Sequence, residues 1–207
     1  MGRKQSANNA TARPAVRIED GRTILRVGGV IQSVAVDDCY TPDVWDAMLP
    51  PARPANALIL GLGGGTIATL MTQRWGALPI TGVENDPAVA WLAAHEFGLN
   101  QLPNVHITLA DAFAFVHRCQ QQFEMICVDL YVAGKMSHGV LEPAFLRDIA
   151  RILTPDGTAT FNLWRSPYLT DQIRRIERIL AIRSLTNAGD NVVVACARPH
   201  TLPTPSR

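Results

Sequence analysis

The sequence predicts an α/β fold with a mostly parallel sheet, helices on both of its faces, and a small β-region at the N-terminus. Short apolar runs alternate with amphipathic segments from residue 57 onward, which is the pattern of strand–helix–strand units. A cluster of glycines follows the first of these runs, and acidic residues end the next three. Ligands of such folds bind at the carboxyl ends of the parallel strands, so these residues indicate a binding site there.

Length and composition favour a single core over two full domains. The chain has 207 residues, 47% of them apolar, and a net charge of +1 with no basic run beyond the first few residues. This charge argues against a nucleic-acid partner. No apolar stretch approaches the roughly 20 residues that span a bilayer, and the N-terminus lacks an apolar signal core, so we expect no membrane association.

The four cysteines are scattered, without the spacing of a disulfide framework or of metal ligands. We therefore expect reduced thiols in a cytoplasmic protein, and no metal. The cysteines are Cys39, Cys119, Cys127 and Cys196.

Composition and the pattern of apolar residues divide the chain into four predicted regions. Asp20-Gly21 at the centre of VRIEDGRTILRV predicts a hairpin, and the run GGVIQSVAV predicts further strands of a small antiparallel sheet. The regions are a disordered tail (1–14), a β-hairpin region with a short helix (15–51), a nucleoside-binding domain (52–199) and a loose tail (200–207).

The segment ALILGLGGGTIATL predicts a buried strand, a tight turn and a helix that begins near Thr66. The glycines let the backbone approach a ligand where a Cβ atom would collide. Glu84 ends the next strand, 19 residues after Gly65, where a carboxylate can accept hydrogen bonds from a ribose diol. The turn departs from the full GxGxxG pattern because residue 66 is Thr, which favours a nucleoside with an amino-acid-like tail, such as S-adenosylmethionine, over a dinucleotide.

The remaining pattern alternates regularly. DPAVAWLAAHEFGL predicts a helix, VHITLAD a strand that ends at Asp111, and MICVDL a strand that ends at Asp129. A polar loop spans 130–142, and PAFLRDIARIL, a PDG turn, TATFNLW and DQIRRIERILAI predict helix, turn, strand and helix. RSLTNAGDNVVVACAR predicts a closing antiparallel hairpin.

Several residues at this edge are candidates for a chemical role, each with an ordinary alternative. Asp111 can accept from the exocyclic amine of adenine while the backbone of Ala112 meets a ring nitrogen, and it can also cap the following helix. Asp129 can hold a substrate amine or cap its loop. His138 is either a general base or substrate contact, or an exposed loop histidine.

The chain resembles the polyamine aminopropyltransferases, the spermidine synthases, over about residues 16 to 164. The resemblance lies in GGVIQSVAVDDCY, the glycine turn, VEND, LADAFAFV, MICVDLY and LEPAFLRDIARILTPDGTATFNL. It implies a Rossmann-like class I methyltransferase fold with a small N-terminal β-region. It also implies that S-adenosylmethionine or its decarboxylated form binds as co-substrate, and that the protein is a homodimer.

The resemblance assigns ligand contacts by position. From the N-terminal region it places two residues in the pocket, Gln32 and Tyr40. Under the ligand tail it places Gly61, Gly63 and Gly65. Glu84 then holds the ribose, and Asp111 with Ala112 holds the adenine.

The chain departs from the family at two positions. The family's glycine motif carries an Asp that binds the aminopropyl amine, and here Gly63 or Gly64 stands in its place. The family's catalytic base, the second Asp of DSSDP, corresponds to Val132. A valine cannot deprotonate an attacking amine, whose pKa is roughly 10.

These observations leave three hypotheses. The first is a spermidine synthase-like transferase that moves an aminopropyl group to an amine acceptor, a polyamine among the candidates, with Asp129 or His138 in contact with the nucleophile. The second is a methyltransferase of a small molecule that uses S-adenosylmethionine. The third is a nucleoside-binding protein without catalysis.

Overall fold

The computed structural model describes residues 13–37, 40–132 and 134–199. The predicted tails lie outside the described residues, apart from positions 13 and 14. Cys39 also lies outside the described residues. The division of the chain into domains stays a prediction.

The N-terminal residues form a three-stranded antiparallel sheet in the order β1-β2-β3, as the alternating pattern predicts. Its strands are β1 (Ala15–Glu19), β2 (Arg22–Val27) and β3 (Val30–Val34). The turn between β1 and β2 contains Asp20 and Gly21, with φ angles of 50° and 77°. Positive φ at both central residues is the geometry that two-residue hairpins need and that Asp-Gly favours.

The main sheet has seven strands and is mostly parallel, as predicted. Its strands are β4 (Ala57–Leu60), β5 (Ile80–Glu84), β6 (Val105–Leu109), β7 (Phe123–Val128), β10 (Leu153–Trp164), β11 (Ala181–Ala188) and β12 (Asn191–Ala197). Between β7 and β10 in sequence, a separate small hairpin is formed by β8 (Tyr131–Val132) and β9 (Lys135–Met136). The spatial order is β11-β12-β10-β7-β4-β5-β6. The strand β12 runs antiparallel to both neighbours, and the other pairs are parallel.

Helices cover both faces of this sheet. They are α1 (Val44–Ala47), α2 (Thr66–Trp75), α3 (Pro87–His95), α4 (Ala112–Arg118), α5 (Pro143–Ile152) and α6 (Leu169–Glu177). The side chains of β4 alternate between two cores: Leu58 and Leu60 pack with α4, α5 and α6, whereas Ile59 packs with α1, α2 and α3. Burial on both faces explains why β4 reads as a continuous apolar run.

The predicted short helix before Pro50 is α1, and Asp43 is its N-cap. Two element boundaries differ from the prediction. The expected PDG turn lies within β10, where pairing with β7 shifts between Leu153 and Thr158. The expected loop at 130–142 contains the β8–β9 hairpin. In each case the backbone finds hydrogen-bond partners that short sequence windows do not reveal.

Arg151, in the last turn of α5, closes the carboxyl end of α4. It donates hydrogen bonds to the carbonyls of Cys119 (2.6 Å) and Val116 (2.8 Å) and to Asp148 Oδ1 (3.1 Å). We expect Arg151→Ala to lower the free energy of unfolding by about 2 kcal/mol, because helix-end carbonyls lose charged donors. Arg151→Lys should be intermediate, since an ammonium cannot span both carbonyls in a fork.

The measurement is urea denaturation of each variant. Arg147→Ala is the matched control, because Arg147 is an exposed arginine on the same helix. Equal losses in Arg151→Ala and Arg147→Ala would contradict the capping role.

Candidate functional site

A cavity of about 580 Å³ lies at the carboxyl ends of β4, β5, β6 and β7. One wall is formed by the turns after these strands, and the other by β3 and the β8–β9 hairpin. The predicted residues that line it are Gln32, Gly61, Gly63, Glu84, Asp111, Ala112 and Asp129. These predicted residues come from five separate segments of the chain and lie at one cavity.

Gly61 and Gly63 lie where neighbouring atoms leave no room for a side chain. Gly61 has φ +83°, and a Cβ there would lie 2.2 Å from the backbone oxygen of Asp129. Gly63 has φ +54°, and a Cβ there would lie 2.6 Å from Ser33 Oγ. The glycines thus permit the close approach of β7 and β3 to the turn, as well as its conformation.

The N-terminal sheet is hydrogen-bonded directly to the glycine turn. Ser33 Oγ accepts from the backbone N–H of Gly64 at 2.7 Å. Thr66 Oγ1 donates to the carbonyl of Val34 at 2.7 Å and accepts from the N–H of the same residue at 3.1 Å. These bonds fix β3 against the start of α2 and so place Gln32 in the cavity wall.

Glu84 is buried at the end of β5, with 9% of its surface exposed. Its Oε1 accepts from the backbone N–H groups of Asn85 (2.9 Å) and Asp86 (3.0 Å), and its Oε2 accepts from Gly63 (3.0 Å). Burial raises the pKa of Glu84, while these three donors act in the opposite direction. The carboxylate is therefore fixed at the cavity, and Oε2, which accepts only one of these bonds, keeps a lone pair for a ligand hydroxyl.

Asp111 is the N-cap of α4, as the ordinary alternative predicts. Its Oδ1 accepts from the N–H of Ala114 at 2.8 Å. The residue also lines the cavity, next to Ala112. Both roles are compatible with this geometry, and the contact with adenine stays a prediction.

Asp129 accepts a hydrogen bond on each carboxylate oxygen. Asn162 Nδ2 donates to Oδ1 at 2.9 Å, and Trp45 Nε1 donates to Oδ2 at 3.1 Å. Asn162 Oδ1 in turn accepts from Asn191 Nδ2 at 2.7 Å. Burial raises the pKa of Asp129, and the bonds from Asn162 and Trp45 oppose this rise. The carboxylate thus has one orientation, held by residues from α1, β10 and β12.

Three predicted site residues lie outside the cavity lining. The hydroxyl of Tyr40 donates to Asp46, and burial raises the pKa of the phenol. Gly65 is the N-cap of α2, where a Cβ would lie 2.4 Å from Leu99 Cδ1. The side chain of His138 is exposed. The structure does not bring these three together with the other candidates, and their roles in binding or catalysis stay predictions.

The titratable side chains of the cavity are acidic. Among the described residues that line it, none is Lys, Arg or His. The carboxylates are Asp43, Glu84, Asp86, Asp111 and Asp129. A wall with this charge attracts cations and disfavours a ligand carboxylate. In the described part of the chain, no group of three or more His, Cys, Asp or Glu side chains is arranged to hold a metal ion.

Three residues of this site were not predicted. Asn162 and Asn191 lie in apolar strands, and Trp45 lies on the short helix α1, far from Asp129 in sequence. A signal for the asparagines exists, because a polar side chain within an otherwise buried strand needs a hydrogen-bond partner. The partner itself is visible only when the strands are adjacent.

Curated relatives of this chain carry two different activities in their names. The probable polyamine aminopropyl transferase of Bifidobacterium longum is 29% identical over 149 residues, which cover 69% of this chain and 33% of that protein. The eEF1A lysine and N-terminal methyltransferase homolog of Drosophila pseudoobscura is 30% identical over 155 residues, 69% of this chain and 23% of that protein. The chain thus spans a third or less of these two relatives.

Solved structures agree on the fold. The probable spermidine synthase of Corynebacterium glutamicum superposes with a TM-score of 0.74 at 16% identity, covering 93% of this chain and 79% of that one. The chain is similar to spermidine synthases in sequence and in fold. Its fold is the class I methyltransferase-like Rossmann fold that the resemblance implies. No model of a protein family matches this chain. Within the described residues, no helix has the length and apolarity needed to cross a membrane.

Proposed function

We propose that this spermidine synthase-like chain is a transferase that moves an alkyl group from the sulfonium of S-adenosylmethionine, or of its decarboxylated form, to an amine acceptor. The single observation that carries the proposal is the acidic cavity at the carboxyl ends of the strands. Both the donor sulfonium and a protonated amine are cations. A cavity lined by five carboxylates and no basic side chain among its described residues concentrates such ligands.

In this proposal the donor lies along the glycine turn. Glu84 Oε2 accepts from a ribose hydroxyl, and Asp111 with the backbone of Ala112 contacts the adenine. Gly61 and Gly63 leave room for the tail. The decarboxylated donor fits this charge better than S-adenosylmethionine itself, since the latter brings a carboxylate that no described basic side chain of the cavity can pair with.

The reaction forms one bond and breaks one. The acceptor nitrogen attacks the carbon attached to sulfur, the S–C bond breaks, and the sulfur leaves as a neutral thioether that needs no acid. The nitrogen must first lose a proton, because an alkylamine with a pKa of about 10 is protonated near pH 7. Asp129 is the carboxylate proposed to accept that proton or to hold the ammonium. The spermidine synthases use an Asp for this role at the position that Val132 occupies here.

Methyl transfer is the second candidate function. The 30% identical relative is named a lysine and N-terminal methyltransferase, and Gly63 or Gly64 stands where the spermidine synthases carry an Asp that binds the aminopropyl amine. Loss of that Asp removes repulsion against a donor carboxylate. A protein that binds the nucleoside without catalysis is the third candidate, since Val132 occupies the base position.

Calorimetric titration with S-adenosylmethionine, its decarboxylated form and methylthioadenosine tests the proposal. Tighter binding of the decarboxylated form supports aminopropyl transfer, and preference for S-adenosylmethionine supports methyl transfer. Binding without a mass gain on any amine acceptor supports the non-catalytic candidate. If a folded protein binds none of the three, the proposed function is wrong.

Glu84→Ala is expected to weaken donor binding about 10- to 100-fold, because a hydrogen bond to a charged group, which contributes about 1.5–3 kcal/mol, is lost. Glu84→Gln keeps the shape without the charge and should lose less. The same calorimetric titration measures both variants, with Glu177→Ala on α6 as a control outside the cavity. Wild-type affinity in Glu84→Ala would contradict the ribose assignment.

Polyamine biosynthesis and a homodimer are further parts of the proposal that rest on resemblance alone, whereas a cytoplasmic location rests on the scattered cysteines. Sedimentation of the purified chain tests the dimer. A monomer at micromolar concentration would contradict it.

A further inference from the structure

The mouth of the cavity exposes a group of apolar side chains. Four residues both line the cavity and rank among the exposed large apolar residues: Val30 (36% exposed), Ile31 (40%), Val132 (60%) and Trp164 (51%). They come from β3, β8 and β10, three segments far apart in sequence. Single exposed apolar residues are ordinary, whereas several grouped at one cavity opening indicate a binding surface.

These side chains adjoin the carboxylate proposed to contact the acceptor. Val132 follows Asp129 by three residues, in the first strand of the β8–β9 hairpin. Trp164 lies two residues after Asn162 on β10 and so shares a sheet face with the side chain that donates to Asp129. A Cβ on Gly134 would lie 3.1 Å from Val30 Cγ2, so the hairpin turn packs against β3.

We infer that the acceptor is an amine attached to an apolar body, aromatic or branched aliphatic, whose nitrogen faces Asp129 while its body packs on these four side chains. This inference rests on the proposed function. A straight-chain diamine fits the mouth less well, since its second ammonium loses hydration against apolar side chains. An aromatic ring instead buries apolar area and stacks on Trp164. Asp43 is a further carboxylate of the cavity, and a contact between it and a second ammonium would instead favour a diamine.

The experiment compares phenethylamine, isopentylamine and diaminobutane as acceptors for the full chain. S-adenosylmethionine and its decarboxylated form are both supplied as donors. Mass spectrometry of the alkylated amine gives kcat/KM for each. We expect phenethylamine to exceed diaminobutane by about tenfold, the effect of burying a modest apolar area. Trp164→Ala should remove that advantage, so that the ratio of kcat/KM for phenethylamine to kcat/KM for diaminobutane falls to about one. Val132→Ser should reduce the advantage in the same direction.

Tyr168→Ala is the matched control, because Tyr168 is an exposed aromatic residue near Trp164 in sequence that does not line the cavity. Calorimetric titration of each amine into protein saturated with methylthioadenosine gives a second readout that needs no turnover. Three results would overturn the inference and leave the proposed function intact. The first is a preference for diaminobutane, and the second is dependence of that preference on Asp43. The third is an equal loss of kcat/KM for all amines in Trp164→Ala. Absence of donor binding would overturn both.

Discussion

Gly61→Ala is expected to destabilise the protein by about 4 kcal/mol, the sum of a positive-φ penalty of about 1–2 kcal/mol and overpacking against fixed backbone of about 1–3 kcal/mol. The new Cβ would lie 2.2 Å from the backbone oxygen of Asp129. That oxygen cannot rotate away as a side chain would, because the Asp129 N–H donates to the carbonyl of Leu60 at 2.9 Å. Relief of the clash therefore requires β4 and β7 to move apart.

Gly98→Ala is the matched control for this prediction. Gly98 has φ +73°, and a Cβ there meets nothing within 4 Å. Its substitution carries the backbone penalty of about 1–2 kcal/mol without the clash. Chemical denaturation of both variants separates the two contributions, and similar losses in Gly61→Ala and Gly98→Ala would contradict the steric explanation.

The fold was predictable because local and long-range signals agree in this chain. Continuous apolar runs marked β4 and β7, Asp20-Gly21 marked the first hairpin, and Asp86-Pro87 marked the start of α3, where Asp86 accepts from the N–H of Ala88 at 2.8 Å. Each of these signals depends on a few neighbouring residues. The spatial order of the strands was not predicted, and the rule that ligands bind at carboxyl strand ends predicted only the edge of the sheet at which the candidate residues lie.

The part of the site made by the N-terminal sheet was harder to predict. Nothing local indicates that Ser33 accepts from Gly64 or that Thr66 bonds to Val34, because these contacts join residues more than 30 positions apart. The same limit applies to Trp45, whose indole donates to a carboxylate 84 positions later. Residue type suggested which groups need partners, and only the packing of β3 and α1 against the sheet supplies them.

Asp129→Asn is expected to reduce kcat/KM for an amine acceptor about 1000-fold at pH 7, within the range that a general base contributes. The substitution removes the charge and retains the hydrogen-bond network. Asn162 can rotate its amide so that Oδ1 accepts from the new amide, and Asn191 can rotate in the same way. A loss of activity would therefore report on charge, with Asp171→Asn on the exposed face of α6 as control.

Stability of the Asp129→Asn variant checks that the network survives. Burial raises the pKa of Asp129 in the folded protein, so the unfolded chain carries this charge more readily than the folded one. In the unfolded chain the pKa of Asp is about 3.9, and above this pH the ionised carboxylate lowers the free energy of unfolding. The decrease grows with pH until the pH passes the pKa of Asp129 in the folded protein. A neutral amide removes this cost, and the denaturation midpoint at pH 7 should not fall.

The pH dependence of the same variant separates a chemical role from a structural one. Near pH 7 almost all of an alkylamine is protonated, and a base is needed to generate the nucleophile; toward pH 10 the free amine becomes abundant without it. The ratio of wild-type to Asp129→Asn rates should therefore shrink as pH rises. A ratio that stays constant from pH 7 to about 10 would mean that Asp129 positions other groups and does not handle the acceptor's proton.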